Sequence, residues 1–375
     1  MRYCNALLFL GEKGFVPGGF DVEDGRFAAV FTDERDGEVD LCGACVIPGL
    51  VDIHTHGAMG ADFSDGDAEG LRRMAAHLAG RGVTSFAPTS MTLPYETLEA
   101  AFATAAELYD NRPEGCARVM GVHMEGPYFS EKKKGAQNGA YLRLPDFEGF
   151  RKLYEGCGGL VRIVDLAPEL EGAAAFTEKA KALCTVSVAH TDASYEEAKA
   201  VFDAGASHLT HLYNAMPGIH HRKPGPIGAA SEREGVIAEL ICDGLHVHPG
   251  AVRMAFRLFP GRICLISDSL RCCGMPDGKY MLGGQEVFLR DGIARLEDGT
   301  IAGSAATLLQ CLQRAVSFGI PKEEAILSAT CNPAKQIGCA DRVGSIAVGK
   351  QADFLICDTE LNLKAVFMNG RRLEG

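Results

Sequence analysis

The sequence contains no apolar run approaching the roughly 20 residues that a membrane-spanning helix requires, so no membrane partner is expected. It is also short of basic charge: 37 Lys and Arg stand against 49 Asp and Glu, a formal net charge of −12. That balance argues against nucleic acid or an anionic membrane as the main partner. An anionic small molecule could still bind, but only at a local cluster of basic groups. There is no internal repeat and no low-complexity segment. No G-x-S-x-G elbow and no P-loop signature occurs, so serine-nucleophile and nucleotide-phosphate chemistry lack support. Met1–Leu10 does not combine a basic stretch with a long apolar core and a small-residue cleavage site, unlike a secretory leader. The 14 cysteines are scattered, unlike a secreted disulfide framework. Reduced thiols and a cytoplasmic location are therefore expected. The lone C-x-x-C, Cys42 and Cys45, has no second pair to complete a Cys4 zinc site. It reads as structural thiols, as does the vicinal pair Cys272–Cys273.

What is present is an ordinary globular composition, 47% hydrophobic and 23% charged, over 375 residues. Short, nearly continuous apolar runs occupy Val46–Ile53, Val83–Ala87, Arg118–Met124, Val161–Leu166, Thr185–Ala189, Ala206–Thr210, Val236–Cys242 and Ile263–Ser267. Such runs suit parallel strands buried on both faces. Amphipathic stretches lie between them, among them Gly70–Arg81, Tyr95–Asn111, Ala173–Leu183, Tyr195–Ala204 and Pro249–Phe259. Alternating β and α elements imply parallel strands, and about eight units favour a closed (β/α)8 barrel, an α/β fold of about 250 residues. The ends read as short strands separated by turns, including the hairpin signal Asn369-Gly370. The expected division is a small β-sandwich domain built from both chain termini, residues 1–46 plus 340–375, beside a barrel over 47–339. Lys279–Leu296 reads as a hairpin with turns at Gly283-Gly284 and Asp291-Gly292, and it could pad the same terminal region. Lys132–Lys134 reads as a solvated charge run.

Chemistry-bearing residues recur at the predicted strand ends, where a (β/α)8 barrel builds its active site. His54 and His56 follow the first run. Two residues apart on a strand, they project to one face and could both bind a metal. Glu125 ends the run through Val119 and Val122. A carboxylate buried there without a partner is costly, which suggests a nearby cation that it could share between two sites. His190, His211 and Asp268 close three further runs. His123 reads as supporting or structural, and His208, inside its strand, is a weaker candidate than His211. Imidazoles and carboxylates together suit zinc, and also iron, manganese or cobalt. A divalent metal activates water and polarises a carbonyl. Asp268 could take the proton of that water and pass it to a leaving amine. Amide hydrolysis without a Ser or Cys nucleophile follows. Arg222, in a Gly/Pro-rich loop beside the solvated His220 and His221, and His246 on another loop suggest an anion in the substrate, plausibly a phosphate.

The set PGLVDIHTHG, GVHMEGPYFS, KKGAQNGAYL, AHTDASY, THLYNAMPG, RKPGPIG, ICDGLHVHP, ISDSL and GTIAGSA, in that order over nearly the whole chain, resembles the N-acetylglucosamine-6-phosphate deacetylases of the amidohydrolase superfamily. GSIAVGKQADFLICD resembles the closing β segment of that superfamily. The resemblance implies that Glu125, His190 and His211 bind the principal metal and that His54 and His56 help hold a second. Some members lack this His pair and use one metal; its presence here allows two. The resemblance further implies that Asp268 is the general acid/base and could touch metal. Asn214, the backbone of Ala215, His246 and Arg222 would bind the phosphorylated sugar; in the family the counterpart of Arg222 can reach in from the neighbouring subunit, which would make a homodimer functional and leaves open whether Arg222 serves its own site or the neighbour's. Gln137 stands where some members carry His, leaving open which group meets the substrate acetyl. Tyr213 replaces a frequent Phe. The implied reaction converts N-acetylglucosamine 6-phosphate to glucosamine 6-phosphate and acetate, in amino-sugar recycling. The rivals are the same reaction on the galactosamine epimer, a cyclic amide hydrolase that should not need Arg222 or His246, and a non-catalytic barrel serving as a binding protein.

Overall fold

The computed structural model describes residues 1–33 and 35–374. Eight parallel strands form the barrel: β1 (Leu50–Thr55), β2 (Val83–Ser90), β3 (Val122–Tyr128), β4 (Val161–Leu166), β5 (Thr185–Val188), β6 (His208–Leu209), β7 (Ile237–Ile241) and β8 (Ile263–Ile266). They pair in chain order. The circle is drawn together between β8 and β1, where the Asp268 N–H donates to the His54 carbonyl at 2.9 Å and the Ser267 hydroxyl donates to Asp52 at 2.6 Å. The expected strands agree to within a few residues, with two differences. The run Val46–Ile53 is two strands, because the chain turns at Gly49, where a Cβ would lie 2.1 Å from the Thr84 hydroxyl. Cys45–Pro48 belongs to the terminal sheet and β1 to the barrel. Likewise Arg118–Met124 divides into Arg118–Val119 and β3.

Helices cover the outside of the barrel. Ala68–Gly80, Tyr95–Asp110, Ala173–Ala180, Tyr195–Ala204 and Pro249–Leu258 match the expected amphipathic stretches. Local chemistry starts them. Ser194 and Glu197 form a reciprocal capping box at Tyr195–Ala204, which supplies acceptors to two otherwise unpaired N–H groups. That helix buries Ala198, Val201 and Phe202 against the sheet. Strand alternation sorts the other face. In β4, Val164 and Leu166 join the large cluster shared with the helices, whereas Ile163 and Asp165 face the barrel interior. In β7, Ala238 and Leu240 join that outer cluster, while Glu239 and Ile241 face inward.

Both termini combine in one eight-stranded sheet. The join is the antiparallel pairing of Cys45–Pro48 with Phe354–Cys357. Its core packs Tyr3, Phe20, Phe27, Phe354 and Phe367, with Phe354 4.9 Å from Phe20 and 4.5 Å from Phe367 between ring centres. Asn369 and Gly370, with φ of 51° and 70°, make the expected hairpin turn. The segment around Lys279–Leu296 is a three-stranded meander, Gly278–Leu282, Gln285–Arg290 and Ile293–Leu296, turning at the expected glycines. Its placement corrects the expectation. It does not pad the terminal sheet but packs its Leu282, Val287 and Leu289 against Met91, Leu270 and Cys272, at the barrel mouth. Cys45, Cys272 and Cys273 are buried free thiols, whereas Cys42 is exposed. Among the described residues no helix is long and apolar enough to cross a membrane.

Phe354 links the first two strands of the chain to Leu363–Met368 through its ring contacts with Tyr3, Phe20 and Phe367. Phe354→Ala is expected to cost about 3–5 kcal/mol, read as a lower denaturation midpoint. A shift equivalent to less than about 1 kcal/mol would mean that the aromatic cluster does not hold the termini together.

Candidate metal centre and active site

Six of the expected site residues meet at the C-terminal mouth. Their backbones explain how. His190, His211 and Asp268, each just beyond a strand, have φ of 42°, 30° and 48°. Non-glycine residues rarely adopt this left-handed conformation, and clusters of it mark sites where the backbone is held by its surroundings. Tyr213 and Ala215 share it, at 78° and 51°. The chain thus breaks from its extended path just after β5, β6 and β8, at His190, His211 and Asp268.

Glu125 is the meeting point. It is 2% exposed. Its Oε1 lies 3.2 Å from His190 Nε2, 3.1 Å from His211 Nε2 and 3.5 Å from His54 Nε2, and its Oε2 lies 3.5 Å from His56 Nε2. Asp268 Oδ1 lies 3.2 Å from His56 Nε2 and 3.6 Å from His54 Nε2. Burial alone would push the Glu125 carboxyl up. The His190 and His211 hydrogen bonds outweigh it and hold Glu125 well below the usual carboxylate range. Asp268 is likewise lowered, burial being overcome by the His54 charge and the His56 hydrogen bond. Burial would depress His56 and His211, yet hydrogen bonds and charge from Asp268 and Glu125 raise each to about 9.

These groups fit a metal. The donors fall into three sets, each with ligand atoms within 4.8 Å of one another: His54 with His56 and Asp268, Glu125 with His190 and His211, and, beneath these, His54 with His123 and Glu239. An ion with tetrahedral ligands about 2.1 Å away separates those ligands by about 3.4 Å, close to the 3.1–3.6 Å between carboxylate and imidazole within the His54–His56–Asp268 and Glu125–His190–His211 sets. Three imidazoles have their outer nitrogen tied down: His54 Nδ1 to Glu239 at 2.8 Å, His56 Nδ1 to the Thr89 carbonyl at 3.1 Å, and His190 Nδ1 to the Lys133 carbonyl at 2.9 Å. Each outer nitrogen donates, so when an ion takes the place of the inward proton each Nε2 can offer it a lone pair. His54 Nε2 is buried with no hydrogen-bond partner among the described residues. His190 and His211 bring two Nε2 atoms within 3.1 Å of each other, an arrangement that a shared cation would satisfy. Lys133, expected only as part of a solvated run, lends its carbonyl to this scheme.

A cavity of about 150 Å³ opens over the cluster, lined by His56, Glu125, His190, His211 and Asp268 together with Gln137, Asn214, Ala215 and His246. Leu282 from the meander, Leu270 and Ile301 supply its apolar wall. Gln137 is committed at both ends: its Oε1 accepts the Thr92 N–H at 2.8 Å and its Nε2 donates to Glu125 at 2.5 Å. It orients Glu125 as well as lining the cavity. Asn214 Nδ2 donates to the His211 carbonyl at 3.2 Å, leaving its oxygen for other partners. His246 Nδ1 is tied to Asp243 at 2.8 Å. Arg222 is not brought to the cavity. It is exposed, its Nη1 2.6 Å from His221 Nε2. A larger cleft of about 1070 Å³ borders the terminal sheet, but its lining holds no imidazole and its Arg118 is already engaged by Asp353 and Asn369.

The sequence reading missed the layer beneath. Glu239 and Asp165 are fully buried. His208, the weaker candidate, donates to Glu239 at 3.0 Å. His123 has a supporting place, between the Ile53 carbonyl and Asp165, both at 2.9 Å. Burial would lower His123, but the charges of Asp165 and Glu239 raise it to about 10. The available signal was a carboxylate on the inward face of an otherwise apolar strand.

The Amidohydrolase family model matches residues 45–373. The chain is 37% identical to an N-acetylglucosamine-6-phosphate deacetylase of Bacillus subtilis, covering 96% of this chain and 93% of that one. It is 36% identical to an N-acetylgalactosamine-6-phosphate deacetylase of Escherichia coli O157:H7, covering 93% of each. Among solved structures, a mutant N-acetyl-D-glucosamine-6-phosphate deacetylase of Mycobacterium smegmatis in complex with N-acetyl-D-glucosamine-6-phosphate superimposes with a TM-score of 0.94 at 32% identity, covering 100% of this chain and 99% of that one.

An ion held by the folded cluster and not by the unfolded chain must stabilise the fold, by about 4 kcal/mol when it is present at a thousand times its dissociation constant. Chelation should therefore lower the thermal midpoint, and added zinc should restore it. A midpoint indifferent to both would mean that the cluster holds no ion.

Proposed function

The chain belongs to the amidohydrolase family, and from that premise we propose that it hydrolyses the N-acetyl group of N-acetylglucosamine 6-phosphate, giving glucosamine 6-phosphate and acetate. The observation that carries the proposal is the convergence of four imidazoles and two carboxylates on one small cavity, in a chain that matches deacetylases over almost its full length. Glu125, His190 and His211 would hold one divalent ion, and His54, His56 and Asp268 a second. Zinc is the first choice for such donors, with iron, manganese or cobalt as alternatives. When bound, the ion supplies positive charge that makes water a stronger nucleophile and polarises an amide carbonyl.

The chain's own residues do the rest. Asp268, held in its ionised form beside His56, accepts a proton from the attacking water at a carboxylate oxygen. A bond forms between water oxygen and the acetyl carbon. As the carbon–nitrogen bond breaks, Asp268 delivers the proton to the departing amine, and acetate leaves. Gln137 holds Glu125 in place throughout. The oxygen of Asn214, the backbone of Ala215 and His246 bind the sugar phosphate from the opposite wall. Leu270, Leu282 and Ile301 keep bulk water from the reacting carbonyl.

Arg222 stands off its own cavity, which supports a homodimer in which this guanidinium reaches the phosphate in the neighbouring subunit. A cytoplasmic role in amino-sugar recycling suits a sugar phosphate as substrate.

Acetate release tests the function. The chelated protein, reloaded with zinc, iron, manganese or cobalt, should act on N-acetylglucosamine 6-phosphate. It should act less on the galactosamine epimer and much less on the unphosphorylated sugar. Asp268→Asn should abolish that turnover while ions remain bound to Glu125, His190 and His211. Turnover of the unphosphorylated sugar at an equal rate would sink the phosphate assignment, and near-normal turnover by Asp268→Asn would remove Asp268 from its role. Hydrogen bonds to charged groups contribute about 1.5–3 kcal/mol, so Arg222→Ala should raise KM on the order of tenfold or more with a smaller change in kcat. An unchanged KM would exclude Arg222 from phosphate binding.

A further inference from the structure

Beneath the metal-facing side chains lies a carboxylate with no place in the reaction above. Glu239 sits on the inward face of β7 and is fully buried. Its Oε2 accepts from His54 Nδ1 at 2.8 Å and from the His211 backbone N–H at 3.3 Å. Its Oε1 accepts from His208 Nε2 at 3.0 Å. One carboxylate therefore ties β1 to the segment from His208 to His211, and touches a member of each donor set.

A buried carboxylate can only accept, so the His54 proton is drawn to Nδ1 and the Nε2 lone pair is left facing Glu125 and Asp268. Among the described residues no other hydrogen bond holds this ring: its Nε2 has no hydrogen-bond partner, and Glu239 is the group bonded to its Nδ1. His56 and His190 are fixed by backbone carbonyls, which no side-chain substitution removes. Of the three imidazoles whose outer nitrogen is held, His54 is the one held by a side chain, and His211 Nδ1 has no partner among the described residues.

We infer that Glu239 is a positioning residue that makes His54, His56 and Asp268 competent to hold the second ion. The inference rests on the metal reading proposed above. Its consequence is selective. Loss of the carboxylate lets the His54 proton move to Nε2, which removes one donor from that set and leaves Glu125, His190 and His211 with all of theirs. In Glu239→Gln an amide takes the same volume. If its oxygen serves His208, its NH2 faces His54 Nδ1 and reverses the proton's position.

Asp165 provides the control. It is equally buried in the same layer and accepts from His123 Nε2 at 2.9 Å and Thr210 at 3.1 Å, but it touches no proposed ligand. The experiment is a cobalt titration of the stripped full-length protein, with bound metal counted by mass spectrometry and the visible cobalt absorption recorded. Wild type should bind two ions per chain. Glu239→Gln should keep the first with unchanged affinity and bind the second about 10–100-fold more weakly, while Asp165→Asn should bind both normally. A Glu239→Gln protein that holds the second ion as tightly as wild type overturns the inference, as does equal loss in Asp165→Asn, which would mark a merely structural layer. A wild type that binds one ion overturns it too. A wild type that binds none sinks the metal reading itself. Should Glu239→Gln fail to fold, ring-nitrogen magnetic resonance of the metal-free wild type decides, with the His54 signals assigned from His54→Asn. A proton on Nδ1 supports the inference, and a proton on Nε2 overturns it.

Discussion

Burying a carboxylate away from water costs several kcal/mol unless opposite charge and hydrogen bonds meet it. Glu125 meets that requirement by standing between imidazoles delivered by three different strands, β1, β5 and β6. None of those strands can supply the compensation alone. The carboxylate is tolerable only once the barrel has closed, and the closed barrel brings it where a cation would relieve it further. The contact between Asp268 N–H and the His54 carbonyl shows the same coupling, since a single hydrogen bond both links β8 to β1 and seats two of the proposed ligands.

Rigidity around this centre is built in layers. The ring nitrogens of His54, His56 and His190 turned away from the cavity are held by Glu239, the Thr89 carbonyl and the Lys133 carbonyl. Below them, His123 is held between Asp165 and the Ile53 carbonyl. Above, Gln137 spans from the Thr92 N–H to Glu125, and the meander rests Gln285 on the Ala136 carbonyl. Side chains that must keep their geometry during a reaction are thus set on strands and braced by backbone. The left-handed residues His190, His211 and Asp268 are sustained by this bracing, because an unsupported loop would relax out of that conformation.

Much of this was legible along the chain. The strands at Val161–Leu166 and Thr185–Ala189 announce themselves as apolar runs of strand length, and Tyr195–Ala204 as an amphipathic period. His54, His56, Glu125, His190, His211 and Asp268 stand out because each follows such a run, and strand ends share one rim in a parallel barrel. The meander was legible as a hairpin but not as a wall of the cavity, because turn glycines specify a local fold and say nothing of what it packs against. Glu239 stayed hidden because it lies inside an apolar run and gains meaning only opposite His54, which is distant along the chain.

Sequence alone therefore determined the alternation of strands and helices, the turn at Asn369-Gly370, and which residues could carry metal chemistry. These follow from local periodicity, backbone preference and side-chain type. Tertiary structure alone decided which donors share an ion, that Gln137 is engaged by Glu125, that Arg222 stands away from its own cavity, and that Glu239 sits behind His54. Those are facts of a few ångströms between groups far apart in the chain, and only the closing of the barrel and the packing of its loops bring such groups together.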